Sequence, residues 1–436
     1  MIHPGTVKNL LMLSGMIFAL FVGAGNIIFP PMVGLQSGAY IWYAALGFLI
    51  TAVGLPFIAL IALARVGGSI ENVSAPIGKS AGVILAIVCY LIVGPLFAIP
   101  RTSMVSFEIG LSPFIGSGPF PLFIYSVIYF CVVIFMSLNP GKVLAMLGYI
   151  LAPLKIIALS LLSLTAVYWS VDDIVTSAPP NTEYKSEAFA HGLVSGYLTM
   201  DTLGALVFSM VIINAVRAQG IKTVQLLTRY TIISGVIASI GLIIIYIALI
   251  KIGANSLHIV QQNANGATIL HSYIQHIYGR IGVLFLSVLI GIACIVTAVG
   301  LTCSCAEFFT RYIPLSYRKV VCLIGFLSML FSNLGLNNLI KVFTPILMVI
   351  YPPCIVLIFL SFTLKWWKKS NRIILPVMLV SVIFGVVDAI KNMHIPVFIP
   401  EYILYQLPLS EQGLEWVLPV ILMLVVLGVY DRIATH

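Results

Sequence analysis

The sequence predicts an all-α polytopic membrane protein with twelve crossings, and three observations lead there. The 436 residues are 61% hydrophobic and only 8% charged, against roughly 25% charged in an ordinary soluble domain. So few charges could not clothe a soluble fold of this length. The apolar residues come in unbroken runs of about 17 to 25, the length a helix needs to cross a bilayer. A membrane β-barrel would instead show alternating segments of about 10 residues. The basic residues are also sorted. With the N-terminus placed in the cytoplasm, 15 of the 22 Lys and Arg fall in inner connections or flanks and 5 in outer ones, the asymmetry that orients membrane helices.

The crossings lie near residues 8–33, 38–64, 81–111, 119–138, 143–169, 191–215, 226–251, 281–308, 319–335, 339–364, 373–391 and 414–431. The first run follows a short polar start (His3, Lys8) but continues through Phe29-Pro30-Pro31 without a small-residue cleavage site, so it reads as a retained span rather than a signal peptide. An even number of crossings puts both termini in the cytoplasm. The acids Asp172, Asp173, Glu183, Glu187, Glu401, Glu411 and Glu415 then fall outside. Trp366-Trp367-Lys368-Lys369 reads as an interfacial anchor on the inner side. The longest loops, about 170–190, 252–280 and 392–413, are too short for a soluble catalytic domain. The net charge of +9 is thereby explained by topology, not by nucleic acid.

The seven cysteines fall inside or at the edge of apolar runs without a C-x-x-C pair, and read as packing residues. His258, His271 and His276 read as loop residues, and no metal-ligand pattern occurs. Neither G-x-S-x-G nor H-E-x-x-H is present, so an enzyme is not indicated.

The informative positions are those that make poor membrane helix. Span one carries Gly23-Ala24-Gly25-Asn26 in mid-run, followed by Pro30-Pro31. One reading is a packing site for a neighbouring helix; the other is an unwound segment, tolerated at membrane depth only beside a cavity or inside protein. Span six carries Gly196-Tyr197-Leu198-Thr199-Met200-Asp201-Thr202-Leu203-Gly204, and Asp201 within a span should face a cavity or partner. Gly192 and Gly196 form a G-x-x-x-G, itself a weak helix-packing signal. Interruptions opening each half point to an inverted-repeat transporter. Spans one to five (residues 1–170) would pair with six to ten (191–364), and residues 373–436 would add two further helices. Half-helix N-termini offer N–H groups to a carboxylate, and the opposing C-termini offer carbonyls to an ammonium or cation, so such a site suits a zwitterion.

Five further charges lie within the runs. Arg101 and Glu108, seven residues apart on one face, read as a mutual pair or as part of an outer gate in which Arg101 meets Asp201. Lys155 and Glu307 read as structurally paired near inner ends, and Asp388 as solvated at an outer end. Span eight clusters small and hydroxyl residues from Gly291 to Glu307, suited either to helix packing or to ligating an alkali cation.

Phe21-Val22-Gly23-Ala24-Gly25-Asn26-Ile27-Ile28-Phe29-Pro30-Pro31 resembles the first-span motif of the bacterial branched-chain amino acid:cation symporters. Gly94 to Thr102 with Phe107-Glu108, Gly196 to Asp201, Thr297 to Glu307, and Tyr351-Pro352-Pro353 resemble the same family in order along nearly the whole chain. The resemblance implies a LeuT-type 5+5 inverted repeat with discontinuous helices 1 and 6. It implies uptake of leucine, isoleucine and valine across the bacterial cytoplasmic membrane, coupled to Na⁺ or H⁺, without cofactor or obligatory protein partner. By similarity to the wider fold, Gly23, Ala24, Gly25, Asn26, Gly196, Tyr197, Thr199 and Asp201 would surround the substrate. Phe97 and Phe208 would wall its apolar end, and Arg101 and Glu108 would gate it. Val22, Ala293 and Thr297 would hold a cation, although Thr297 is followed by Ala298 rather than a second hydroxyl. A related transporter of another small solute would share this topology; a channel is disfavoured by the lack of a filter repeat or charged ring.

Overall fold

A computed structural model describes residues 4–139, 152–168, 182–221, 223–368, 370–393, 409–410 and 413–433. The predicted span at 143–169 is therefore seen from Ala152 onward, and Asp172, Asp173, Glu401, Glu411, Lys142, Lys222 and Lys369 lie outside the described residues.

No strand occurs among the described residues. The helices are α1 (Pro4–Phe21), α2 (Ala24–Ser37), α3 (Ile41–Leu49) continuing through a π-turn into α4 (Leu55–Arg65), α5 (Lys79–Leu91), α6 (Ala98–Gly110), α7 (Pro119–Ser137), α8 (Ala152–Tyr168), α9 (Thr182–Tyr197), α10 (Asp201–Ala218), α11 (Val224–Asn255), α12 (Gly266–Phe309), α13 (Tyr317–Ser332), α14 (Leu336–Thr363), α15 (Ser370–Asn392) and α16 (Val417–Ile433). Among the described residues, eight helical stretches are long and apolar enough to cross a bilayer. Val7–Phe21, Pro153–Thr165 and Val417–Asp431 are shorter apolar helices. Large apolar side chains face outward all round, with Ile281 83% and Phe135 76% exposed; in water such a surface would aggregate, whereas against lipid it is the stable one.

Both suspected interruptions are real, and both are shorter than the sequence suggests. In span one only Val22 and Gly23 leave the helix; Ala24, Gly25 and Asn26 already form the first turn of α2. The Asn26 side chain explains the restart, since its Oδ1 accepts the Gly23 N–H at 2.9 Å and caps the new helix. In span six Leu198, Thr199 and Met200 separate α9 from α10. Met200 takes a left-handed conformation with φ 67°, a strain of roughly 1–2 kcal/mol for a residue with a Cβ, and the Thr199 hydroxyl turns back onto the Gly196 carbonyl at 2.8 Å. A third irregularity leads into α6: Gly94 is non-helical and Pro95 follows it. Proline has no N–H and its ring crowds the preceding turn, which opens a π-turn there and sets the course of α6.

Other helices meet backbone to backbone through glycine. A Cβ on Gly34 of α2 would lie 1.8 Å from the Ile250 carbonyl oxygen of α11, and one on Gly253 would lie 1.9 Å from that of Pro31. The G-x-x-x-G of α9 is likewise a packing motif, because Cβ atoms on Gly192 and Gly196 would fall 2.1 Å from the Ala44 carbonyl and 1.8 Å from the Thr51 hydroxyl. Gly253→Ala is expected to cost about 3 kcal/mol, at the upper end of overpacking penalties, because the obstacle is backbone. It should lower the thermal aggregation midpoint and monodisperse yield in detergent, whereas Gly54→Ala, at a helical φ of −63° with nothing closer than 4.0 Å to the added Cβ, should keep the yield. Equal yields would refute the packing argument.

The seven cysteines are free; Cys131 and Cys322 are exposed on the outer surface and the rest are buried. Cys89 and Cys354 lie with their sulfurs 3.6 Å apart. Three expectations need correction. His271 and His276 sit on the first part of α12, not in a loop. Asp388 is buried, not solvated, beside the Lys391–Glu415 ion pair at 2.5 Å. Lys155 is buried among backbone oxygens rather than paired with Glu307.

Candidate functional site

The two breaks face one another across a small polar cavity. It is lined by Phe21, Gly23, Ala24 and Asn26 from the first break, Thr199, Met200, Asp201, Gly204 and Phe208 from the second, and Ala98, Arg101 and Thr102 from α6. Thr297 and Leu301 of α12 close one side. The cavity holds about 30 Å³, room for about two waters. Admission of anything larger requires side chains to move. Roomier hollows, such as one of 480 Å³ between Leu161, Tyr278 and Phe285, are almost wholly apolar and lie on the lipid-facing flank.

A buried polar cluster ties the two breaks together. Asn26 Nδ2 donates to Asp201 Oδ2 and lies against the Tyr246 hydroxyl of α11. Tyr246 donates to the same Asp201 oxygen at 3.1 Å. Asn26 thus works at both ends, capping α2 with its oxygen and reaching α10 with its nitrogen. Asp201 occupies the first turn of α10, where the partial positive charge of a helix N-terminus favours a carboxylate.

Each upstream half-helix ends in carbonyls without intrahelical partners, and each end is met by a buried cation. At the end of α9, Arg101 donates from Nη1 to the Leu198 carbonyl at 2.7 Å and from Nη2 to the Thr199 carbonyl at 3.2 Å. Its guanidinium lies 4.9 Å from the Phe97 ring centroid and 5.5 Å from that of Phe29, and the backbone of Gly25 fits directly beneath it. Arg101 Nε has no hydrogen-bond partner among the described residues. At the end of α1, Lys155 of α8 donates to the Ala19 carbonyl at 2.9 Å, the Ala293 carbonyl at 3.2 Å and the Thr297 hydroxyl at 3.1 Å. Thr297 in turn lies 3.3 Å from the Val22 carbonyl.

Of the expected site residues, Gly23, Ala24, Asn26, Thr199, Asp201 and Phe208 line the cavity. Gly25 lies just behind, under Arg101. Gly196 packs against Thr51, and Tyr197 stacks on Tyr351 at 4.7 Å, so neither lines it. Phe97 stacks on Phe343 at 5.2 Å and supports Arg101 rather than walling the cavity. The Arg101–Glu108 pair is not formed: Glu108 accepts from Asn265 at 3.2 Å, while Arg101 turns to the carbonyls that end α9, which offer two acceptors at once. Val22, Ala293 and Thr297 do come together, but the Lys155 ammonium is hydrogen-bonded into that group.

Tyr246 and Lys155 were the members that sequence reasoning did not place here. Tyr246 sits inside an uninterrupted apolar run and carries no local signal. Lys155 did carry one, as a lysine in mid-span, but its partners are backbone atoms of distant helices.

Comparison with known proteins gives the family and the fold. A family model described as branched-chain amino acid transport protein matches residues 6–434. The chain is 54% identical over 434 residues to the branched-chain amino acid permease BrnQ of Escherichia coli K12, covering 100% of this chain and 98% of that one. It is 54% identical over 410 residues to the branched-chain amino acid transport system 3 carrier protein of Pseudomonas aeruginosa (94% and 93% covered). To the permease BraB of Bacillus subtilis it is 37% identical over 421 residues (95% and 94% covered). Among solved structures it resembles Mhp1, a nucleobase-cation-symport-1 family transporter in a closed conformation, with TM-score 0.52 over 93% of this chain and 96% of that one. At 14% identity that likeness concerns the fold alone. With the family model matched nearly end to end and full-length relatives at 54% identity, the chain belongs to the branched-chain amino acid transport protein family.

Proposed function

We propose that this protein is a secondary symporter that carries leucine, isoleucine and valine into the cell across the bacterial cytoplasmic membrane, driven by Na⁺ or H⁺. The observation that carries the reading is the pair of broken helices whose ends face one buried polar cavity. The relatives named as permeases and carriers for branched-chain amino acids support the substrate class. Twelve crossings arranged as two inverted five-helix repeats, with α1–α2 and α9–α10 as the discontinuous first and sixth spans, place this cavity at the repeat interface. Both termini lie in the cytoplasm by charge asymmetry.

The helix N-termini of α2 and α10 serve the substrate carboxylate, together with Arg101, the cationic side chain on the cavity wall. Phe21, Phe208 and Leu301 present apolar surface for the branched side chain. The cavity is too small for these amino acids, so binding requires the side chains that line it to move. One cation moving down 100 mV supplies roughly 2.3 kcal/mol, about 50-fold accumulation before any chemical gradient of that ion is added. An apolar pocket separates neighbours differing by a methylene by only about 1–3 kcal/mol, so the three substrates compete.

Purified protein in liposomes is expected to take up labelled leucine when an inward cation gradient is imposed. Unlabelled isoleucine and valine should compete, and glutamate and lysine should not. Absence of gradient-driven leucine uptake, with the protein shown to be folded and inserted, would overturn the reading.

A further inference from the structure

We propose that the Lys155 ammonium is a built-in cation that fills the cation cage of this fold, so that Na⁺ is not a ligand there. The inference rests on the symporter reading for its meaning, but its geometry stands apart from that reading. The resemblance implied an alkali ion among Val22, Ala293 and Thr297, and the residues do not fit one. An ammonium has three N–H donors and no acceptor. Here Lys155 Nζ has three acceptors within reach: the Ala19 carbonyl at 2.9 Å, the Thr297 hydroxyl at 3.1 Å and the Ala293 carbonyl at 3.2 Å. Two of the three expected cation ligands are therefore already spent on the lysine. The third, the Val22 carbonyl, faces the Thr297 hydroxyl at 3.3 Å.

The oxygens are also too few for a metal beside the lysine. Hard cations are held by shells of oxygen ligands, and the position after Thr297 is Ala298, which supplies no hydroxyl. Lys155 is 1% exposed and forms no ion pair among the described residues. A buried charge is tolerated only when fully hydrogen-bonded. The titratable groups whose charge acts on it are Cys294 of α12 and Asp201 of α10. The negative end of α1 and the carbonyls of α12 thus take the role of counter-charge.

The tether also has a mechanical consequence. An alkali ion joins the ends of its ligand helices only while bound. The lysine joins α1, α8 and α12 with a cation that cannot diffuse away. The chain thereby keeps the bracing that a bound metal would supply without depending on external sodium for it.

The test is a thermal-shift titration of the purified full-length protein in detergent with NaCl against choline chloride at equal ionic strength, alongside leucine binding in both salts. Wild-type protein is expected to show the same melting midpoint and the same leucine Kd in either salt. Lys155→Ala is expected to melt lower in choline and to recover part of the loss in NaCl, as Na⁺ enters the vacated cage. Should that variant fail to fold, Lys155→Met, which keeps the stem, serves in its place, and the wild-type arm needs no variant. Stabilisation of wild-type protein by NaCl but not choline, or a leucine Kd at least tenfold tighter in NaCl, would overturn the inference. Failure to bind leucine in either salt, with no sodium effect on melting, would sink the transport reading and leave the filled cage standing.

Discussion

Arg101→Ala is expected to reduce leucine uptake by about 100-fold, with Arg101→Lys in between. Arg101 makes two hydrogen bonds from one planar group, to Leu198 at 2.7 Å and Thr199 at 3.2 Å. Hydrogen bonds from charged groups contribute about 1.5–3 kcal/mol each, so removing both costs at least about 3 kcal/mol, or two powers of ten. Alanine leaves the Leu198 and Thr199 carbonyls without the cationic donor that covers them. Lysine keeps the charge but carries a compact ammonium on a flexible stem, which cannot reproduce the fork or lie flat between Phe97 and Phe29; a loss of roughly tenfold is expected. Initial rates in proteoliposomes, normalised to inserted protein, check this. Wild-type rates in the alanine variant would show that covering the end of α9 plays no part in the cycle.

The second large effect is at Asp201. Asn26 and Tyr246 both donate to its Oδ2, and the three residues are buried. Asp201→Ala leaves two buried donors without an acceptor, at about 1–3 kcal/mol each. The expected result is a sharp fall in monodisperse yield and melting temperature. Asp201→Asn keeps a carbonyl oxygen that can accept from both donors, so it should fold with a loss of about 1 kcal/mol. It removes the negative charge, so uptake should still fall roughly tenfold. The pair separates the hydrogen-bonding role from the charge. If the alanine variant proves as stable as the asparagine variant, the Asn26–Asp201–Tyr246 cluster does not hold the two breaks together.

Much of this architecture could be read from composition and punctuation. Apolar runs of the right length predicted helices whose observed ends fall within a few residues, as at 119–138 against Pro119–Ser137 and 226–251 against Val224–Asn255. Gly23 and the Gly196–Asp201 stretch marked the breaks because glycine, threonine and aspartate are poor company for a continuous membrane helix. Their extent was overestimated for a local reason. Asn26 was read as a helix breaker, whereas its side chain restarts the helix by capping it. Gly196 reads in sequence both as part of a break and, with Gly192, as a weak packing signal, and the structure shows the packing: it lets α9 approach Thr51. A small residue looks the same in sequence whether it permits unwinding or close packing.

The partners of the charged residues were the least legible part. Spacing along α6 suggested that Arg101 and Glu108 meet, since both lie on one helical face. The observed acceptors of Arg101 are backbone oxygens 97 and 98 residues away, and those of Lys155 are 136 and 138 residues away. Main-chain carbonyls have no identity in a sequence, so no spacing rule can nominate them.

The chain by itself determined that it is helical, that it lives in a membrane, and where the runs at Gly23 and at Gly196–Asp201 are interrupted. Those properties follow from hydrophobicity, charge and local conformational preference, which act within a few turns of a residue. Tertiary structure alone decided that the two interruptions face one another through Asn26, Asp201 and Tyr246, that Arg101 covers the end of α9, and that Lys155 fills a cage of oxygens. Each of these depends on helices distant in sequence delivering backbone and side-chain groups to one place, where they satisfy one another.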